Sequence, residues 1–285
     1  METQISKITT VINYERIGEI IQEAGFALLD RFNERNTRHL DGIDKGYVKE
    51  KTEKELLIRE DLISQDIVIE GIKEIEPDAI VYSEELNNVH LLEKDRNEIK
   101  FILDPLDGTH NFYFGMPYWG IGLAVLDKQN ESIAGFIYLP ALNIFIKNEG
   151  NNSPTFIKSE EGWVKCHTTK RSLNNALICY DNQFYKLGYK AIKIYDILAH
   201  DSFTSRITGS AITDAALIAT GRINGRIWNS TQPYDIAPGI PIVQGSGGVV
   251  SDFQGNKVSV MNKSIIMSSD KLLHEKLVQE IITIK

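Results

Sequence analysis

The sequence predicts a mixed α/β fold of the α+β kind, built in layers and divided into two lobes, and three observations carry that expectation. The N-terminal part opens on a helical apolar period, several short β-rich runs end on acidic residues, and the second half alternates strand-like with helix-like segments. Composition agrees: of 285 residues, 42% are hydrophobic and 25% charged, which excludes disordered and collagen-like chains and leaves enough apolar mass for a sizeable core. Length allows one large domain or two of ordinary size, since single cores stop growing at roughly 250 to 300 residues, and two lobes are expected.

From Ile12 to about Asn33 the residues Ile17, Ile20, Ile21, Ala24 and Leu28 recur at helical spacing between Glu15, Glu19, Glu23 and Asp30, which makes an amphipathic helix. A charged connector, Asn36 to Lys54, leads to a second helical stretch, Glu55 to Ile75, carried by Ile63, Ile67, Ile69 and Ile72 and closed before Pro77. Ala79 to Tyr82 reads as a short strand stopping at Ser83-Glu84-Glu85, and Ile99 to Leu103 as another stopping at Asp104. Gly120 to Leu126 and Ile133 to Leu139 form a hairpin or meander across Asp127 to Glu131, with Phe145 and Ile146 as an added strand. The turn-rich segment Asn148 to Glu161, with Gly150, Asn151, Asn152 and Pro154, is where a lobe boundary is expected, separating 1–150 from 151–285. Beyond it, strands are expected over Ala176 to Tyr180, Ala191 to Tyr195 and Gly247 to Val250, and helices over Ser210 to Thr220, Ile236 to Gly245 and Asp270 to Ile281.

Thirty-nine acidic residues against 31 basic ones give a net charge of −8, which argues against nucleic acid or an anionic membrane as a partner. A small anionic substrate would need local help from bound cations or helix ends. Met1 to Arg16 lacks the apolar run of a signal peptide, and Ile236 to Ser251, uncharged but broken by Pro238, Pro241 and four glycines, is too short to span a bilayer. Cys166 and Cys179 alone do not make a disulfide scaffold. A reducing, cytoplasmic location fits.

The most informative segment is Asp104-Pro105-Leu106-Asp107-Gly108-Thr109-His110-Asn111-Phe112. Pro105 keeps Asp104 extended, so Asp104 and Asp107 are expected to leave a buried strand in a loop where both can face one point and hold a hard divalent cation. Gly108-Thr109 can open a helical turn whose free amides suit an anion. The same string also suits an Asx turn with a helix cap. Glu84 ends another strand 20 residues before Asp104, where neighbouring strands would bring the two together, although a Glu-Glu pair is also a common solvated turn. Asp235 precedes a helix rich in small residues and could equally be its N-cap. Together Glu84, Asp104, Asp107 and Asp235 offer four carboxylates at element ends, enough for about two or three divalent ions. Gly245-Ser246-Gly247-Gly248 is a tight turn into a strand and lacks the context of a dinucleotide fingerprint; the six histidines show no zinc-ligand spacing. The Tyr113, Phe114, Pro117, Tyr118 and Trp119 group reads as core and site wall.

Ser83-Glu84-Glu85, the Asp104 to Phe112 segment, Gly209-Ser210-Ala211 and Asp235-Ile236-Ala237-Pro238-Gly239 leading to Gly247-Gly248 occur here in the order in which they occur in a known family. Over nearly its whole length the chain resembles the inositol monophosphatase and fructose-1,6-bisphosphatase family of Mg²⁺-dependent, lithium-sensitive phosphatases. The resemblance implies a layered αβαβα sandwich of the sugar phosphatase type, a homodimer, and two or three Mg²⁺ ions held by Glu84, Asp104, the Leu106 carbonyl, Asp107 and Asp235. It implies hydrolysis of a small phosphate monoester, an inositol monophosphate or a sugar phosphate such as fructose 1,6-bisphosphate, by metal-activated water. Asp61, 23 residues before Glu84, would pair with Thr109 to activate that water, with Glu84 beside them. Gly108, Thr109, Asp107 and the Gly209-Ser210-Ala211 turn would hold the phosphate ester. A nucleotide 3′-phosphatase of the same family, or a phosphate-ligand sensor without turnover, are the alternatives. Trp228 stands seven residues before Asp235, where inositol-type members carry a polyol-binding glutamate, and is expected to form a wall of the substrate pocket.

Overall fold

The computed structural model describes residues 12–39, 48–52, 55–94, 99–150, 153–181 and 183–284. Helix α1 (Tyr14–His39) extends past the expected Asn33, and its apolar residues Ile17, Ile20, Ile21, Ala24 and Leu28 are all fully buried. Of the charged connector, 40–47 and 53–54 lie outside the described residues. The expected second helix starts later than its apolar period suggested. Glu55–Ile58 is a strand, β2, antiparallel to β1 (Val48–Thr52), and α2 (Arg59–Ile75) begins only where Asp61 accepts the Ile58 amide.

Strands β3 (Ile80–Ser83), β4 (Lys100–Asp107), β5 (Gly120–Leu126), β6 (Ser132–Leu139), β7 (Ile144–Asn148), β8 (Phe156–Ser159) and β9 (Gly162–Lys165) form one sheet in chain order. Only β3 and β4 run parallel; every later pair is antiparallel. The turn-rich segment expected at the lobe boundary, of which 151–152 lie outside the described residues, therefore joins two strands of the same sheet. The chain passes to a second sheet between Lys165 and Leu177. That sheet is built from β10 (Leu177–Tyr180), β11 (Thr204–Arg206), β12 (Gly225–Asn229), β13 (Val249–Asp252) and β14 (Ser264–Ser268), in the order β11-β10-β12-β14-β13. The expected strand over Ala191 to Tyr195 lies inside helix α4 (Phe184–Asp201), because Ala191, Ile194 and Leu198 share one helical face and bury it against Ile178 and Tyr180 of β10.

The layering follows from the two-residue alternation of side chains along each strand. Phe101, Leu103, Val125 and Phe136 point to one face of the first sheet and pack on α1 and α2. Ile102, Ala124, Ile137 and Ile146 point to the other face and share a core with α5 (Ala211–Ala219), α6 (Pro233–Ile236) and α7 (Gly239–Gly245), which the second sheet closes with Trp228, Ile265 and Met267. The outer face of the second sheet, Ile178, Ile227 and Ile266, is covered by α4 and α8 (Lys271–Ile282). The order of layers is helices, sheet, helices, sheet, helices, which is the αβαβα sandwich expected. Cys166 and Cys179 are both buried and free. No helix among the described residues is long and apolar enough to cross a membrane.

The central helices lie close to the first sheet because that sheet has glycines beneath them. A Cβ on Gly135 of β6 would sit 2.3 Å from the Pro238 carbonyl oxygen, a backbone atom that cannot swing aside. Gly135→Ala is accordingly expected to cost about 1–3 kcal/mol, the usual range for overpacking, measured by chemical denaturation.

Candidate active site

The site is built around an irregularity in β4. Asp104 faces Gly122 of β5 and Asp107 faces Gly120, so three steps on β4 match two on its partner. One residue is extra. Pro105 has no amide to give to the ladder, so the bulge forms there. Both aspartates thus belong to the bulged strand end and not to a loop after it, as the sequence suggested. The Leu106 amide donates to Asp104 Oδ1 at 3.2 Å, which fixes the first carboxylate. Immediately afterwards Gly108 turns the chain at φ 81°, and a Cβ there would lie 2.6 Å from the Tyr118 carbonyl oxygen, so glycine is required twice over.

Neighbouring elements bring further carboxylates to this end. The parallel register sets Ser83 beside Leu103, and the Glu84 amide continues it by donating to the Leu103 carbonyl, which carries Glu84 to the level of Asp104. Asp235, in the first turn of α6, accepts the Gln232 amide at 2.7 Å. Asp61 does the same at the start of α2, accepting the Ile58 amide on Oδ2 at 2.7 Å while Oδ1 faces the Thr109 hydroxyl at 3.2 Å. That hydroxyl also lies 3.0 Å from the Leu106 carbonyl. Asp107 Oδ2 accepts from the Ser210 hydroxyl at 2.5 Å and the Ile212 amide at 2.9 Å, both at the start of α5.

Asp104, Asp107 and Asp235 place oxygens within 4.8 Å of one another. Asp104 and Asp107 are 1% and 9% exposed. Burial, and then the charges of Glu84, Asp107, Asp235 and Asp61, push Asp104 well above the ordinary carboxylate range. Burial raises Asp235 likewise, against the Gln232 amide and helped by Asp107, Glu84 and Asp181. Asp107 is pushed up to about 6, burial outweighing the Ser210 and Ile212 hydrogen bonds and the Arg226 charge that pull it down. A cluster of buried oxygen donors in which Asp104 and Asp235 are crowded chiefly by other carboxylates fits a hard divalent cation, which would relieve the repulsion.

The sequence profile of the inositol monophosphatase family matches residues 13–285. The chain belongs to the inositol monophosphatase family. A protein of Thermotoga maritima named fructose-1,6-bisphosphatase/inositol-1-monophosphatase is 29% identical over 226 residues, 79% of this chain and 82% of its own. The Nus factor SuhB of Haemophilus influenzae is 29% identical over 220 residues, 76% of this chain and 79% of its own. Among solved structures, the Thermotoga maritima IMPase covers 95% of this chain and 97% of its own with a TM-score of 0.77 at 25% identity. The extragenic suppressor protein SuhB of Bartonella henselae covers 95% and 98% with a TM-score of 0.82 at 22% identity and shares the fold. As an inositol monophosphatase family member the chain is a metal-dependent phosphatase.

Of the residues singled out in the sequence, Asp104, Asp107 and Asp235 form the carboxylate cluster, with Glu84 acting on Asp104 from beside it. Asp61 and Thr109 form a hydrogen-bonded pair, and Leu106 presents its carbonyl to the same hydroxyl. Gly209, at φ 76°, turns the chain into the α5 start formed by Ser210 and Ala211. Trp228 is the exception. It is 3% exposed, packed in the core between the sheets, with the Arg226 guanidinium 4.7 Å from its ring centre, so it offers a substrate no open face. Alternation along β12 turns it inward, which the spacing to Asp235 could not reveal. Residues missed in the sequence are Asp181, 5% exposed and near enough to raise Asp235, and the buried pair Asp214 and Arg226. A lone aspartate inside the apolar run Ala211–Ala219 was the available signal.

The sign of the pH dependence follows from Asp107. Its value in the folded protein lies above the unfolded one, so its contribution to stability is present at low pH and lost as pH rises through about 6. A cation binding the ionised cluster restores what is lost. Millimolar Mg²⁺ is therefore expected to raise the Tm by several degrees at pH 7.5 and by much less at pH 5, read by scanning fluorimetry; an equal increment at both values would contradict the assignment.

Proposed function

We propose that the protein hydrolyses the monoester of a small polyol or sugar, an inositol monophosphate or a sugar phosphate such as fructose 1,6-bisphosphate, with two or three Mg²⁺ ions held by Glu84, Asp104, the Leu106 carbonyl, Asp107 and Asp235. The observation that carries this reading is the Asp61–Thr109 hydrogen bond beside the carboxylate cluster. Bound there, the metal supplies Lewis acidity and neutralises charge on the phosphate. The chain's own residues supply position and a proton path. Asp61, pinned by the Ile58 amide, orients the Thr109 hydroxyl. Thr109 Oγ1 then accepts a proton from the attacking water as its own proton passes to Asp61 Oδ1. No covalent enzyme intermediate is required.

The ester rests against the Gly108 and Thr109 backbone amides on one side and the Gly209–Ala211 backbone on the other. The Ser210 hydroxyl and the Ile212 amide are committed to Asp107 and not free for it. The names borne by the Thermotoga maritima relative favour inositol and fructose esters. On the same reading the protein acts as a cytoplasmic homodimer sensitive to lithium.

Phosphate release with Mg²⁺ across inositol 1-phosphate, fructose 1,6-bisphosphate and adenosine 3′,5′-bisphosphate tests the reading. Release from either of the first two exceeding the third is expected. Turnover of the nucleotide alone would favour the 3′-phosphatase, and none from any ester a sensor. Asp104→Asn is expected to abolish turnover while raising the Tm of the metal-free protein, since it removes one of the crowded charges. Thr109→Ala should lower kcat about 100-fold or more with KM little changed, because its hydroxyl acts on water; a change confined to KM would make Thr109 a phosphate ligand.

A further inference from the structure

Behind the carboxylate cluster lies a buried ion pair that the proposed chemistry does not use. Arg226 of β12 and Asp214 of α5, 3% and 0% exposed, are joined through Arg226 Nη1 and Asp214 Oδ2. Arg226 Nε has no hydrogen-bond partner among the described residues, and the guanidinium lies over the Trp228 ring at 4.7 Å. The arginine thus bonds Asp214, lies over the Trp228 ring, and its charge also reaches Asp107. From Asp214 the contacts continue toward the site. The Thr208 hydroxyl donates to Asp214 Oδ1 at 2.9 Å and accepts from the Ser210 amide at 3.4 Å. The Ser210 hydroxyl and the Ile212 amide hold Asp107. The Thr208 carbonyl in turn accepts from Asn111 Nδ2 at 2.9 Å, tying in the short helix α3 (Thr109–Tyr113) that starts at Thr109.

Resting on the metal-site reading above, we propose that Arg226 is a positioning residue for Asp107. It clamps Asp214 against β12 and so sets the start of α5, whose Ser210 and Ile212 aim Asp107 at Asp104 and Asp235. A buried ion pair is weak ground for stability, since apolar replacements often serve as well. Its place at the end of a continuous hydrogen-bond path to a ligand carboxylate points to geometry instead, and groups behind a metal ligand commonly matter about 10- to 100-fold in metal affinity.

Calorimetric titration of Mg²⁺ into the full chain tests this, at pH 7.5 and well below the Tm of each metal-free variant. Arg226→Met alone would leave Asp214 buried and unpaired, so Arg226→Met is combined with Asp214→Asn, which keeps an acceptor for Thr208. Thr208→Val breaks the path while leaving the ion pair in place. Both are expected to stay folded by circular dichroism and to raise the Mg²⁺ Kd about tenfold or more, with Arg226→Lys falling between them and the unmodified protein. Folded variants with a lower Tm but a Kd within about twofold of the unmodified protein would overturn the proposal and leave the pair merely structural. Should the double variant fail to fold, Thr208→Val decides by the same criterion. If the unmodified protein neither binds Mg²⁺ nor shifts its Tm, the metal-site reading itself is overturned, and this inference falls with it.

Discussion

Bringing three carboxylates within 4.8 Å of one another in a buried setting is the costly act on which the arrangement of this molecule turns. Left alone, such groups repel, take up protons or move apart. Each is held by a backbone donor, Asp104 by the Leu106 amide of its own bulged strand and the other two by amides at helix starts. Asp235 is held by an amide at the start of α6, Asp107 by one at the start of α5, and the neighbouring Asp61 by one at the start of α2. Unpaired amides at a helix start favour negative charge and give it a fixed direction. Three helices from two different layers thus start toward one point, and backbone donors hold the crowded carboxylates, with the Arg226 charge also drawing on Asp107.

Those helix starts are only as well placed as the layers that carry them. A Cβ on Gly122 would meet Ile212 Cγ2 at 3.0 Å and Pro238 Cγ at 3.1 Å, so the central helices lie against bare backbone of the first sheet. On their other side the second sheet closes the same core through Trp228, Ile265 and Met267. The Asp104–Asp107 bulge lies against β5, which from Ile121 to Val125 pairs regularly with β6. Site geometry is therefore inherited from packing on both sides of the middle layer. Trp228 contributes to it as core, which explains why a bulky ring is tolerated there without opening toward a ligand.

Much of this was legible in the amino-acid sequence where local chemistry decides structure. The apolar period of α1, the β3 run that stops before Glu84, and the glycine and threonine after Asp107 all act over a few residues and appear where expected, whereas β4 runs on through both aspartates. The Glu84 and Asp104 juxtaposition was legible as well, because parallel neighbours ending on acids leave little choice of register. What escaped was decided by distant partners. Ala191 to Tyr195 carries β-branched and aromatic residues but obeys a helical period once β10 is beneath it. Strands β12 and β14 are defined by pairing with each other, and Arg226 is intelligible only beside Asp214, on another element. The inward face of Trp228 depends on the pleat of β12, which sequence distance from Asp235 does not encode.

On the proposed reading, charge also dictates an order of events. The chain carries a net charge of −8, and the buried cluster adds its own negative potential at the point where a phosphate must sit. A phosphate dianion approaching the cation-free site meets Asp104, Asp107 and Asp235 together, and the Ile212 and Gln232 amides beside them are already spent on Asp107 and Asp235. Ionic screening weakens the long-range part of this repulsion but not the part inside the site, where separations are well below a Debye length. Only a bound cation reverses the sign of the local field. Affinity for the ester must then be conditional on cation occupancy, and the carboxylate crowding that destabilises the empty protein is the same feature that makes binding of the substrate depend on the metal.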